Sequence, residues 1–173
     1  IKATASAEAG SSVSVTAGES TSQIGGDLSL QSGAGVVGGE VLISAGAATR
    51  GSGGSVSIEG GEGTSSSGSV SIEGGFSSTS ASAGEVSIKA GSAVDSDGAS
   101  LSLQGGASEM GDSGSISVST SKTVLDNTSG SVDITTGKTD AGVSGDVQIS
   151  TGDSSSGNVG TVSIQAGSAA SQN

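Results

Sequence analysis

Cysteine, histidine, proline, tryptophan and tyrosine are all missing from this chain of 173 residues, and Phe76 is its single aromatic residue. Each absence excludes something. Without cysteine there is no disulfide framework and no thiol chemistry. With neither cysteine nor histidine the usual nucleophile–base pairs cannot be built, so no enzymatic activity and no cofactor is expected. Without proline every residue keeps the N–H that a backbone ladder needs. Positive charge is scarce: five Lys and Arg face 17 Asp and Glu, for a net charge of −12. That balance argues against nucleic acid and anionic membranes as partners. No apolar run is long enough to cross a membrane, and no signal peptide is present. The chain opens at Ile1 without an initiator Met, which leads us to expect a piece of a longer array.

What is abundant is small: 33 Gly and 42 Ser. Val, Ile, Leu and Phe together supply only 33 residues. Composition alone therefore describes a disordered Gly/Ser linker. Residue order overrides that reading. The stretch Gly54-Ser-Val-Ser-Ile-Glu-Gly-Gly61 returns at Gly68–Gly75. Aligning on the apolar pair finds eleven repeats: Val13/Val15, Leu28/Leu30, Val41/Ile43, Val56/Ile58, Val70/Ile72, Val86/Ile88, Leu101/Leu103, Ile116/Val118, Val132/Ile134, Val147/Ile149 and Val162/Ile164. First members are 13 to 16 residues apart. The third residue after each pair is Gly in ten of eleven repeats, Ser121 being the exception. The residue two before each pair is Gly in nine, with Ser11 and Ala99 the exceptions. A disordered linker has no reason to hold that register.

Alternation of period two, rich in Val and Ile, predicts a half-buried strand, and the flanking glycines predict turns through positive φ. A single such strand cannot fold alone, so stacking of repeats is expected. Between pairs lies a second arm of variable, mostly small residues, whose third residue is often Thr or Val (Thr21, Val36, Thr49, Thr64, Val94, Val124). We expect it to return as a weaker strand. The predicted fold is thus all-β: a parallel β-solenoid (a two-sheet β-helix or β-roll) of about 15 residues per coil and 11–12 coils, spanning 1–173 as one array without caps. The residue between the paired apolars is Ser in eight repeats, so a hydroxyl ladder along the stack is expected. In that stack Glu59 and Glu73 are neighbouring like charges, and Lys89 sits one coil on.

The recurrent G-x-V-x-I-x-x-G units, over nearly the whole chain, resemble the long Gly/Ser-rich solenoid arrays of cell-surface and fibre-forming proteins, including those of flagellated algae and related protists. The resemblance implies a flagellar-hair or extracellular-fibril role. Independently, Ile1-Lys2-Ala3 matches Ile88-Lys89-Ala90, and residues 168–173 begin another second arm and stop. Uncapped ends predict association with further segments, end to end or laterally. The expected function is a structural component of an extracellular or cell-surface filament. The alternative is a binding module for ice or polysaccharide. Regular Thr ladders and aromatic platforms, which those two ligands favour, are not found.

Few residues stand out as sites. Asn127-Thr128-Ser129 is an N-glycosylation sequon. Ser65–Ser67 and Ser77–Ser80 are candidate O-glycan positions. Asp95-Ser96-Asp97-Gly98 and Glu109/Asp112 are the densest acidic spots; calcium is one reading and a solvated loop the commoner one. Gly51-Ser-Gly-Gly54 resembles a phosphate loop in composition alone, since no G-K-[ST] follows.

Overall fold

The computed structural model describes residues 10–79, 81–124 and 127–168. The chain divides into two compact units, Ile1–Ser87 and Ile88–Asn173. Among the described residues there is no helix and no β-strand. The expected solenoid is therefore not formed. Ile1-Lys2-Ala3 and residues 169–173, which carried the reading of the ends, lie outside the described residues, as does Ser80.

The sequence repeat survives as a repeat of local structure. Each unit is a succession of extended segments and pinched arms. The segments contain the apolar pairs. Their extension shows in side-chain bonds between residues two apart: the Ser57 hydroxyl donates to Glu59 Oε1 (2.9 Å), Ser71 to Glu73 Oε1 (3.2 Å) and Ser131 to Asp133 Oδ2 (3.2 Å), while the Ser14 and Thr16 hydroxyls lie 3.4 Å apart. In extended chain residues i and i+2 share a side, as they do in these four segments.

Pairing between segments does not follow, and the arms show why. In seven repeats the backbone closes on itself across the arm. The N–H of Gly26 donates to the carbonyl of Gly18 (2.8 Å), Gly39 to Gly33 (2.9 Å) and Gly54 to Gly46 (2.9 Å). Gly68 donates to Gly61 (2.8 Å), Gly84 to Gly75 (2.9 Å), Ala99 to Gly91 (3.0 Å) and Gly114 to Gly106 (2.8 Å). Each bond ties off an arm of five to eight residues as an Ω-like loop. The arm bends at its middle, at 21–23, 35–37, 49–51, 94–96, 109–111, 140–142 and 155–157, for example. A bent arm cannot run as a second strand, and these donors and acceptors are used inside one repeat rather than on a neighbour.

Glycine acts at these necks by closeness, not by dihedral freedom. Gly51, at φ +93°, is the one glycine of the described residues in the left-handed region. At three necks the backbones approach so closely that a methyl group has no room. A Cβ on Gly68 would lie 2.9 Å from the Gly61 nitrogen, on Gly84 2.7 Å from that of Gly75, and on Gly114 2.9 Å from that of Gly106. In these three repeats the residue before the first neck glycine is also glycine. A Cβ on Gly60, Gly74 or Gly105 would overlap the carbonyl oxygen of Gly68, Gly84 or Gly114 respectively. Elsewhere the facing position is Ala17, Ser32 or Ala45. Ser32 adds a second tie, its hydroxyl donating to the Gly39 carbonyl (3.0 Å). Further along, Gly130, Gly145 and Gly160 face the methyl groups of Thr120, Thr136 and Thr151, and no neck bond is formed there among the described residues. The ten glycines three residues after the apolar pairs, Gly18 and Gly61 among them, have open space around them. Nothing in the structure requires glycine at that column.

A second local device holds the arms. Two residues past that glycine, a hydroxyl accepts the backbone N–H three residues on: Ser20 from Gln23 (2.9 Å), Ser108 from Gly111 (2.9 Å), Thr139 from Gly142 (3.0 Å) and Ser154 from Gly157 (2.9 Å). Ser and Thr make this short-range bond readily because their hydroxyl mimics a backbone acceptor.

Candidate functional surface

Among the described residues none is buried and no cavity is formed. Among the described residues only Ala17, Ser32, Ser77, Gly105 and Thr123 are half-buried rather than exposed. Three of them line necks and two occupy the hydroxyl column of the arms.

The apolar side chains form a graded set. First members of the pairs are the best covered, from 47% exposed at Val86 to 56% at Leu28 and Ile116. Second members run from 59% at Val15 to 91% at Ile164. Apolar residues of the arms, such as Ile24, Val36, Phe76, Val94, Met110 and Val143, stand clear in solvent. Full burial of a Val or Ile is worth about 1.5–3 kcal/mol. Each first-column residue therefore keeps roughly half of that in hand, about 1 kcal/mol, for a contact the chain does not make with itself.

Alternation divides each segment into two sides of different chemistry. One side carries the apolar pair, the neck residue before it and the small residue after it, the last being Ala17, Ser32, Ala45, Gly60, Gly74, Ala90, Gly105, Thr120, Thr136, Thr151 or Ala166. None of these positions is charged in any of the eleven repeats. The other side carries the Ser column together with Asp27, Glu40, Glu59, Glu73, Glu85, Asp133 and Asp146, and one cation, Lys89. The expected hydroxyl ladder from coil to coil is not built. Ser57 and Ser71 turn instead to the carboxylates of their own segments.

Among the described residues singled out from the sequence all are exposed except the half-buried Ser77, and the structure does not gather them. Asn127, Thr128 and Ser129 are exposed, so the sequon is open to an enzyme. Ser65–Ser67 are exposed in their arm. Asp95 and Asp97 lie in one arm and Glu109 and Asp112 in the next, and no group of three or more acidic side chains able to hold a metal ion occurs among the described residues. Gly51-Ser-Gly-Gly54 forms the end of a bent arm and its neck, not a phosphate cradle ahead of a helix. Lys138 and Asp140 form an ion pair in full exposure, where such pairs contribute little. Sequence reasoning missed the arm hydroxyls Ser20, Ser108, Thr139 and Ser154. Their signal was present: a Ser or Thr two residues after the column glycine. No family model, curated protein or solved structure matches the chain.

Proposed function

We propose that the chain is a structural component of a filament or matrix at the cell surface or outside the cell, held together by self-association of copies or neighbouring segments. The observation that carries this reading is the apolar pair, present eleven times at near-constant spacing and left about half uncovered. A site for one small ligand needs a concave, largely apolar pocket, and none is formed among the described residues. A surface that repeats the same small patch many times is suited to many weak, equivalent contacts, whose strength adds when they engage together. The exposed hydroxyls and the net negative charge keep such a surface hydrated, and Asn127 and the Ser-rich arms offer places for glycans. The binding-module alternative lacks support: without a sheet, the described hydroxyls are not held in the flat lattice that ice recognition requires. The test is negative-stain microscopy and sedimentation of the purified chain over a range of concentration. Concentration-dependent, elongated polymers are expected; a monomer at every concentration and salt would overturn the reading.

A further inference from the structure

We infer that the contact between copies is made by the uncharged side of the extended segments, apolar pair against apolar pair, with the acidic hydroxyl side turned outward. The inference rests on the self-association reading and names its surface and its partner, a second copy of this chain.

Three surfaces compete for the role. The arm tips carry the most exposed apolar residues, but these sit at different places in different arms: Phe76 one residue past its glycine, Val94 three, Met110 four, Ile24 six. Tips of that kind cannot make one contact eleven times. The hydroxyl side does recur, yet seven carboxylates and a single Lys lie on it. Two copies meeting through it bring like charges together at close range, which is unfavourable unless screened or paired. The apolar side alone has both properties that repeated self-contact needs. It recurs in every repeat with a pair of branched aliphatic side chains, and it has no charge at any of its four positions. The structure leaves it uncovered within the chain, with Val56 at 50%, Val70 at 51% and Val86 at 47% exposure. The neck glycines extend it, since Gly60, Gly74 and Gly105 add no bulk beside the pair.

A consequence concerns salt. Carboxylates on the outer sides of two apposed segments still repel through the contact. Their reach is about 30 Å at 0.01 M ionic strength and about 3 Å at 1 M. Assembly therefore strengthens as salt rises.

The test compares matched charge insertions in the full chain, read by light scattering and sedimentation at low and high salt. One variant places Asp on the apolar side (Val56→Asp, Val70→Asp, Val86→Asp). The other places it on the hydroxyl side, one residue along (Ser57→Asp, Ser71→Asp, Ser87→Asp). At high salt the first variant should raise the concentration at which assembly begins by about tenfold or more, while the second stays within about twofold of the unaltered chain. A third variant with Ser in place of the same three valines should shift the onset in the same direction as the first. The amide exchange of Gly68 and Gly84 reports that the necks remain closed in all three. Equal shifts from the two Asp variants at high salt, or a larger shift from the hydroxyl side, would overturn the inference and leave the filament reading standing. Loss of assembly on replacing Ile24, Val36 and Phe76 with Ser, with the valines intact, would overturn it too. A chain that binds lipid vesicles or other proteins but never itself would remove both.

Discussion

Gly60 and Gly68 face one another so closely that neither tolerates a side chain, and one residue along, the Gly68 N–H donates to the Gly61 carbonyl at 2.8 Å. The two adjacent glycines differ in physical role: Gly60 stands in a column that is glycine in three of eleven repeats and Gly61 in one that is glycine in ten. Gly60 meets the facing backbone in this neck, whereas Gly61 contributes a carbonyl that any residue has.

Gly60→Ala should force this neck to shift, because the added methyl overlaps the Gly68 carbonyl. The expected result is a weakened Gly68 hydrogen bond, seen as faster amide exchange than in the unaltered chain, whereas the necks beside Ala17 and Ala45 are built with a methyl at this position and keep theirs. Gly61→Ala meets nothing and should keep the bond, with a gain of up to about 0.4–1 kcal/mol from the stiffer open chain. The same contrast is expected of Gly105→Ala against Gly106→Ala.

Ser108→Ala should release the N–H of Gly111, which the hydroxyl accepts at 2.9 Å. The site is exposed, so water replaces the lost partner and the cost is small, about 0.5 kcal/mol. Exchange at Gly111 should quicken while Gly157, capped by Ser154, is unaffected. Ser108→Thr should restore the unaltered behaviour.

Dilute chain, below the onset of assembly, should show no sharp heat-absorption peak in scanning calorimetry. Each neck is closed by one backbone hydrogen bond within its own repeat, so the necks open one by one rather than together. With no described side chain buried, the heat-capacity step that accompanies exposure of a core is missing as well. A cooperative transition at low concentration would show that the chain covers its apolar pairs by itself.

Expression through a secretory pathway should attach one N-linked glycan, at Asn127. Its sequon is exposed, and Asn158, followed by Val159 and Gly160, does not begin another. An amidase-sensitive mass shift that disappears in Asn127→Gln is the expected result.

Much of the local organisation is legible in the residue order. Val56 and Ile58 alternate with Ser57 and Glu59 in sequence, and the Ser57–Glu59 bond shows them alternating in space. Gly61 and Gly68 mark the ends of an arm in both. What the order does not contain is the partner of the apolar side. Two apolar residues in fifteen say that one face avoids water; they do not say whether the next repeat or another molecule covers it. Thr21, Thr49 and Val94 suggested a returning strand because a β-branched residue favours extension. The hydroxyl of Ser20 outweighs that preference in its arm, by bonding the Gln23 amide and bending the chain. The glycine columns were read through φ, the commonest reason for glycine in a turn, although closeness of approach is what Gly60 and Gly68 show.

The most direct measurement is residue-resolved amide hydrogen exchange on the dilute, unassembled chain. The account predicts slowed exchange at the neck donors Gly26, Gly39, Gly54, Gly68, Gly84, Ala99 and Gly114, and open-chain rates at Val56, Ile58, Val70 and Ile72. Strong protection of those four, continued through Val86 and Ile88, would mean that consecutive segments pair within one molecule and would contradict it.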